Sequence, residues 1–366
     1  MRYLSSSLRP LATEFDVAML DLDGVVYVGA GAVPGAPRAL AAAREAGMRL
    51  AFVTNNAARP PSEVVEHLIH LGIPAAVDEV ITSAQTAAHY LARQLPPGAP
   101  VLVVGTTGLI EALREHGLTP VFSADDEPAA VVQGYSPELT WRQLAEGAVA
   151  IRRGARWVAA NLDATVPSPR GPLPGNGSLV AALRHATGME PFATGKPDPT
   201  MHGETVERTG AQRPIVVGDR LDTDIEGATR VGCASLVVLS GVTDPATLLA
   251  APVGQRPDFV ADDLAGLLVA HPGVEVDGPR VRCRRWLASR EADVIVLALA
   301  TLGTGRASTG GDSDAGESGA DGGAREEQLN ALRALCELSW KTGFAPVRAD
   351  GTAARAVLTG LGLAGA

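Results

Sequence analysis

Short runs of branched aliphatic residues recur along the chain, and run after run ends in Asp, Asn or Gly before a helix-like stretch begins. That alternation is the mark of a parallel sheet, whose strands need a crossover, usually helical, to return to the same edge. Residues 16–20 read as a first buried strand, 37–46 as a helix, 49–53 as a second strand, and 62–71 as a helix that Ser62 is expected to cap. Further strands are expected at 80–82, 101–104, 129–133, 157–160, 215–217, 235–239 and 258–260. The fold class is α/β.

The 366 residues are 46% hydrophobic and 20% charged, enough for two or three domains with a well-buried core. A net charge of −10 argues against nucleic acid or an anionic membrane as partner, since both demand clustered Lys and Arg. The longest aliphatic run, 294–300, falls far short of the ~20 residues that cross a bilayer, and no signal-like segment opens the chain. A cytoplasmic protein is expected, its oligomeric state unread. Cys233, Cys283 and Cys336 are widely spaced and suggest neither a disulfide framework nor a zinc site.

Four clusters carry chemistry. The first strand runs into Asp21-Leu22-Asp23-Gly24, where Gly24 allows a sharp turn at the carboxyl end of the strand. Two carboxylates two residues apart face the same way in an extended chain and need a proton or cation between them. The second strand ends in Thr54-Asn55-Asn56, whose hydroxyl and amides suit an oxyanion, though Thr and Asn are equally common as plain turn residues. Lys196, in Gly195-Lys196-Pro197-Asp198-Pro199, is one of only two lysines in a chain that otherwise uses arginine. A compact ammonium fits between a carboxylate and a phosphate where a planar guanidinium does not. Finally Gly218-Asp219-Arg220-Leu221-Asp222-Thr223-Asp224 follows an apolar strand, which suits Mg²⁺. Asp219 is the expected ligand, Asp224 a supporting group and Asp222 a helix cap.

In that order, at successive strand ends, these clusters resemble the four motifs of the haloacid dehalogenase (HAD) superfamily of phosphatases, and their wording resembles the NagD-like, p-nitrophenylphosphatase branch. The resemblance implies a Rossmann-like HAD core at 1–84 and 191–270, with an inserted α/β (C2-type) cap at 85–190. It implies that Asp21 is the nucleophile and Asp23 the general acid and base. It further implies that Lys196 offsets charge, that Mg²⁺ binds Asp21, the carbonyl of Asp23 and Asp219, and that Thr54, Asn55 and Asn56 receive phosphate oxygens. From the cap, the resemblance implies that Asn161 and Asp163 face the substrate, with Ala160 standing where the family often has Thr, while the residues themselves read equally well as a plain turn. The expected partner is a small phosphorylated metabolite. Glycerol 3-phosphate leads, with phosphoglycolate and pyridoxal phosphate as alternatives.

Other features read more plainly. His67 and His70 share a helix face without a third metal ligand and are expected at the surface. Gly105-Thr106-Thr107-Gly108 lacks a P-loop lysine and reads as a cap-domain turn. Residues 271–366 read as a small α+β unit with strands at 281–287 and 292–302, a disordered loop at 303–325 and a helix at 326–340. This unit is either an acetyltransferase-like fold, which would make the protein bifunctional, or a docking or regulatory module. Its helix could also pack back on the core.

Overall fold

The computed structural model describes residues 4–166, 168, 170–300 and 320–364. Six parallel strands form the central sheet in the order Phe259–Ala261, Ala234–Val238, Pro214–Gly218, Val17–Leu20, Arg49–Thr54 and Val80–Thr82. Val17–Leu20 is buried at every position, as its unbroken apolar run requires of a strand covered on both faces. The chain grows outward on one side of this strand and then returns to grow on the other. The resulting switch point lies between Val17–Leu20 and Pro214–Gly218, where ligands of open α/β sheets bind. Asp21 and Asp219 follow these two strands.

A second all-parallel sheet, in the order Phe192–Ala193, Arg156–Ala159, Ala130–Gln133, Pro100–Val104 and Thr119–Val121, forms the inserted unit. Helix Ser83–Ala92 packs its alanines and Leu91 into this unit's core. Phe192–Ala193 belongs to the inserted sheet, so the chain returns to the central sheet after it, a little later than residue 191. Thr119–Val121 escapes sequence reading because Pro120 interrupts it, which only an edge strand tolerates. Helix Pro61–His70 has Pro60 at its cap and no side-chain cap bond, so Ser62 is not the cap.

The C-terminal unit differs from expectation. The stretch 281–287 is two strands, because a two-residue turn at Arg284-Arg285 folds Arg280–Cys283 back on Trp286–Glu291. Similar turns join Glu275–Asp277 to Arg280–Cys283 and Trp286–Glu291 to Val294–Leu299. Gly278, Arg284 and Ala292 open the three turns at positive φ, which matches the twist of tight hairpins. Val347–Ala349 then pairs in parallel with Val294–Leu299. The expected disordered loop lies outside the described residues as far as 319, and from there the chain is helical, Ala320–Thr342, so residues 320–325 are not loop.

The apolar core of this unit is continuous with that of the central domain. Leu332, Leu335, Leu338 and Trp286 share one hydrophobic cluster with Val237, Leu248, Leu249 and Val260 of the central domain, and with Leu221 and Ile225 beside Asp224. Arg333 adds a bond from its guanidinium to Val260 O (2.8 Å). Replacing Leu335 by Ala should cost about 2–5 kcal/mol. Hydrogen–deuterium exchange should then show protection falling in Pro214–Gly218 and Ala234–Val238 together with Trp286–Leu299. Loss confined to the C-terminal strands would mean two independent units.

Candidate active site

Lys196 lies at the centre. Its side chain is 3% exposed, and the ammonium donates to Asp21 Oδ1 (2.5 Å), Asp224 Oδ1 (2.7 Å) and Val53 O (3.1 Å). Three donors meet three acceptors, which is what makes a buried ammonium tolerable. Burial alone would depress the Lys196 pKa, but Asp21 and Asp224 outweigh it and hold the group charged. The backbone is held as well: Lys196 N donates to Asn55 Oδ1 (2.8 Å), and Asn55 Nδ2 donates to Lys196 O (3.1 Å). Downstream, Asp198 caps helix Pro199–Thr209 through Thr200 N (2.9 Å), which anchors the Pro-rich loop.

Asp21, Asp219 and Asp224 offer carboxylate oxygens within 4.8 Å of one another. Burial pushes the Asp21 carboxyl well up; Lys196 opposes this, while Asp224 and Asp219 reinforce it. Burial, then repulsion by Asp224, raises Asp219 to about 6. Three carboxylates around one ammonium leave an excess of negative charge, which calls for a further cation. The donor set fits Mg²⁺. Asp219 Oδ2 accepts from Val242 N (2.7 Å), while its buried Oδ1 has no partner among the described residues. Gly24, at φ +86°, and Gly241 close around this carboxylate, and a Cβ at either would overlap it. Hard oxygens, one left unpaired in a tight cradle, are the chemistry of a small divalent cation.

Asp224 supports rather than competes. Its Oδ1 is spent on Lys196 and its Oδ2 accepts from Arg220 N (3.1 Å). Asp222 does not cap the following helix; its carboxylate grips Arg220 in a fork (3.1 and 2.8 Å) because a wide π turn, Leu221–Ile225, precedes helix Glu226–Val231. The Asp23 side chain is not among the gathered carboxylates and opens toward solvent. Partial desolvation raises its pKa, with Lys196, then Arg59 and His67, pulling down. A raised carboxyl beside the reaction centre is suited to carrying a proton.

Thr54 is buried and its Oγ1 accepts from Asn56 N (3.0 Å), while Asn56 Oδ1 accepts from Ala58 N (2.8 Å), an ordinary turn bond that occupies one end of its amide. The Asn55 side chain does not face a ligand. Besides Lys196 it binds Asp163, Nδ2 lying 3.2 Å from each carboxylate oxygen. Asn161 takes its turn reading: Nδ2 donates to Asn55 O (2.6 Å) and Oδ1 accepts from Asp163 N (3.2 Å), so both ends of its amide are engaged within the protein. Asp163 is half-buried beside Asn55, its pKa raised by burial and opposed by Arg220.

Several partners were invisible in the sequence. Ser83 Oγ donates to Asn55 O (2.6 Å), Asn176 Nδ2 to Asn161 O (2.7 Å), and Ser240 Oγ to Gly24 O (2.7 Å). Each is a common residue whose role depends on who folds beside it. Thr106 of the presumed cap turn donates to Ala58 O (3.2 Å), which makes that turn a contact between the two domains. His67 is only partly exposed, its ring edge-to-face on Tyr27 at 4.9 Å, whereas His70 is exposed.

Comparisons with known proteins agree with this geometry. Residues 18–119 match the haloacid dehalogenase-like hydrolase family and residues 193–267 a HAD-hydrolase-like family. The chain is 48% identical over 278 residues to a D-glycerol 3-phosphate phosphatase of Mycobacterium tuberculosis, covering 74% of this chain and 78% of that protein. The crystal structure of a glycerol phosphate phosphatase from the same organism, in complex with magnesium, superposes with a TM-score of 0.83 at 40% identity over 97% of this chain and 99% of that one. A p-nitrophenyl phosphatase from Archaeoglobus fulgidus gives a TM-score of 0.65 at 30% identity, covering 69% of this chain and 98% of its own. With its motifs gathered at one switch point and these relatives matched across the catalytic fold, the chain belongs to the haloacid dehalogenase-like hydrolases.

Proposed function

We propose that the protein is a Mg²⁺-dependent phosphatase of small phosphate monoesters, with glycerol 3-phosphate as its substrate. The observation that carries this reading is the Lys196 ammonium bridging Asp21 and Asp224 beside the unpaired oxygen of Asp219. No other cluster of carboxylates at metal-binding distance occurs among the described residues.

Asp21 is the nucleophile. Its carboxylate attacks phosphorus, the ester oxygen leaves, and an aspartyl-phosphate forms; Asp23 donates a proton to the departing alkoxide and then removes one from the water that hydrolyses the acyl phosphate. Lys196 holds Asp21 in place and offsets the charge of the incoming dianion. Asp21, Asp219 and the Asp23 carbonyl would hold Mg²⁺, which would supply charge neutralisation for the phosphate when bound. The Thr54 hydroxyl and the backbone at Asn55 take the remaining phosphate oxygens, while the Asn55 side chain holds the Lys196 loop and the cap together.

Asp163 supports glycerol 3-phosphate over phosphoglycolate. It brings a carboxylate from the cap to Asn55, beside the phosphate loop. A carboxylate there accepts hydrogen bonds from polyol hydroxyls and repels a leaving group that bears its own carboxylate. The glycerol phosphate phosphatase neighbour, which matches across the C-terminal unit as well, points to the same substrate.

Phosphate release from glycerol 3-phosphate, 2-phosphoglycolate and pyridoxal 5′-phosphate tests this directly, with glycerol 3-phosphate expected to give the highest kcat/KM. Asp163→Asn should move the ratio toward 2-phosphoglycolate by about tenfold; an unchanged ratio removes Asp163 from substrate choice. Asp21→Asn should lower kcat by at least about 10³-fold with the circular dichroism spectrum unchanged, and appreciable turnover would dismiss Asp21 as nucleophile. Because Asp219 protonates near pH 6 in the metal-free protein and only the carboxylate binds a cation, apparent Mg²⁺ affinity should fall as pH drops below about 6, by up to about tenfold per unit. Calorimetric titrations at pH 7.5 and at pH 5 would read it; equal affinities would deny the competition.

A further inference from the structure

The Asp219 carboxylate is not held by its own strand alone. Its Oδ2 accepts from Val242 N (2.7 Å) and its carbonyl from Thr243 N (3.0 Å), so residues 242–243 fix both ends of the residue. Directly after them comes the short helix Pro245–Leu249, begun by Asp244, whose Oδ1 accepts from Thr247 N (2.7 Å). A helix this short has little stability of its own, and its last carbonyls need donors from elsewhere.

Ala251 N supplies one locally, to Leu248 O (3.2 Å), and the others come from a distant stretch of sequence. Trp340 Nε1 donates to Leu248 O (3.0 Å) and Ser339 Oγ to Leu249 O (2.8 Å), both from the helix Ala320–Thr342. Arg256 Nε donates to Ala251 O (3.1 Å), and its guanidinium lies over the Trp340 ring at 5.6 Å. Trp340 and Ser339 are buried, and Leu248 and Leu249 belong to the same apolar cluster as Leu221 and Ile225, which flank Asp224 in the π turn.

We propose that Trp340, assisted by Ser339, is a positioning residue for the metal-ligating Asp219, so that the C-terminal unit completes the Mg²⁺ site from behind. The path runs from the indole to the Leu248 carbonyl, through the short helix to the Val242 and Thr243 amides, and so to the Asp219 carboxylate. Neither Trp340 nor Ser339 touches substrate or cation. This inference rests on Asp219 being a Mg²⁺ ligand.

The test is calorimetric Mg²⁺ titration of the full-length protein without substrate, beside a thermal melt. Trp340→Phe keeps a ring under Arg256 and deletes the donor; the Mg²⁺ Kd should rise about threefold to tenfold, less than the loss seen when a residue bonded directly to a ligand is removed. Trp286→Phe is the control. Trp286 is fully buried in the same unit, but its Nε1 donates to Glu327 Oε2 (2.6 Å), with no bond to the short helix. That variant should lower the melting temperature yet leave the Kd within about twofold, since it spares every group that positions the ligand. A wild-type Kd in Trp340→Phe, or an equal rise in Trp286→Phe, overturns the proposal. Should Trp340→Phe fail to fold, Ser339→Ala replaces it, with a smaller rise expected and a wild-type Kd overturning. Asp219→Asn in the same titration separates the two levels. Lost binding there with no effect in Trp340→Phe refutes the brace alone, whereas retained binding refutes the metal assignment beneath it.

Discussion

One buried ammonium organises this site. Lys196 would be costly in the interior if any of its three protons lacked an acceptor, and Asp21 and Asp224 would repel each other without it. The three groups therefore stabilise one another only in a single arrangement. That arrangement draws together the end of the first strand, the loop returning from the cap, and the turn after Pro214–Gly218. An arginine has the charge but not the shape: a planar fork cannot send donors to two carboxylates and a carbonyl around one point. In a chain with 31 basic residues, of which only two are lysines, the exception stands where geometry demands it.

The same loop explains how the cap is registered on the core. Asn55 binds the Lys196 backbone on one side and Asp163 on the other, and its carbonyl receives both Ser83 and Asn161. Ser83 opens the helix that leads into the cap, and Asn161 and Asp163 follow the cap strand Arg156–Ala159 at its carboxyl end. The amide and carbonyl of one residue thus bind both the outgoing and returning portions of the inserted unit. A network of this kind, satisfied at nearly every atom, specifies one closed geometry more sharply than apolar packing alone. It places the Asp163 carboxylate next to the Thr54-Asn55-Asn56 turn.

The C-terminal unit joins the catalytic domain by burying surface that neither part covers alone. Its hairpins and helix contribute half of a shared apolar cluster, and side chains of that helix satisfy carbonyls at the end of a short core helix. Glu337 extends the connection to the start of the chain by accepting from Leu4 N (3.0 Å). Sequence composition changes near residue 271, which suggests a separate module. Contact chemistry joins it to the rest.

Strands of the central sheet were legible to within a residue at Val17–Leu20, Arg49–Thr54 and Ala234–Val238, because burial on two faces forces an uninterrupted apolar run. The motif residues were legible for a related reason. Chemistry at a strand end requires particular groups at particular spacings, so Asp21, Lys196, Asp219 and Asp224 declare themselves before their neighbours are known. Asn161 stayed open between two readings and Asp222 was misjudged because a polar residue in a turn has many local partners, and only the fold decides which it takes. The hairpin at Arg284-Arg285 was missed because neither arginine signals a turn. The chain's own order of residues therefore determined the candidate catalytic set, the α/β class and the charge that must be offset. Tertiary structure alone decided that Asn55 ties the core to the inserted unit, that the Asn161 amide is spent on Asn55 and Asp163, and that Trp340 bonds the short helix behind Asp219. Those outcomes rest on contacts between segments as far apart as 248 and 340, and a hydrogen bond across such a span leaves no period or spacing in the sequence.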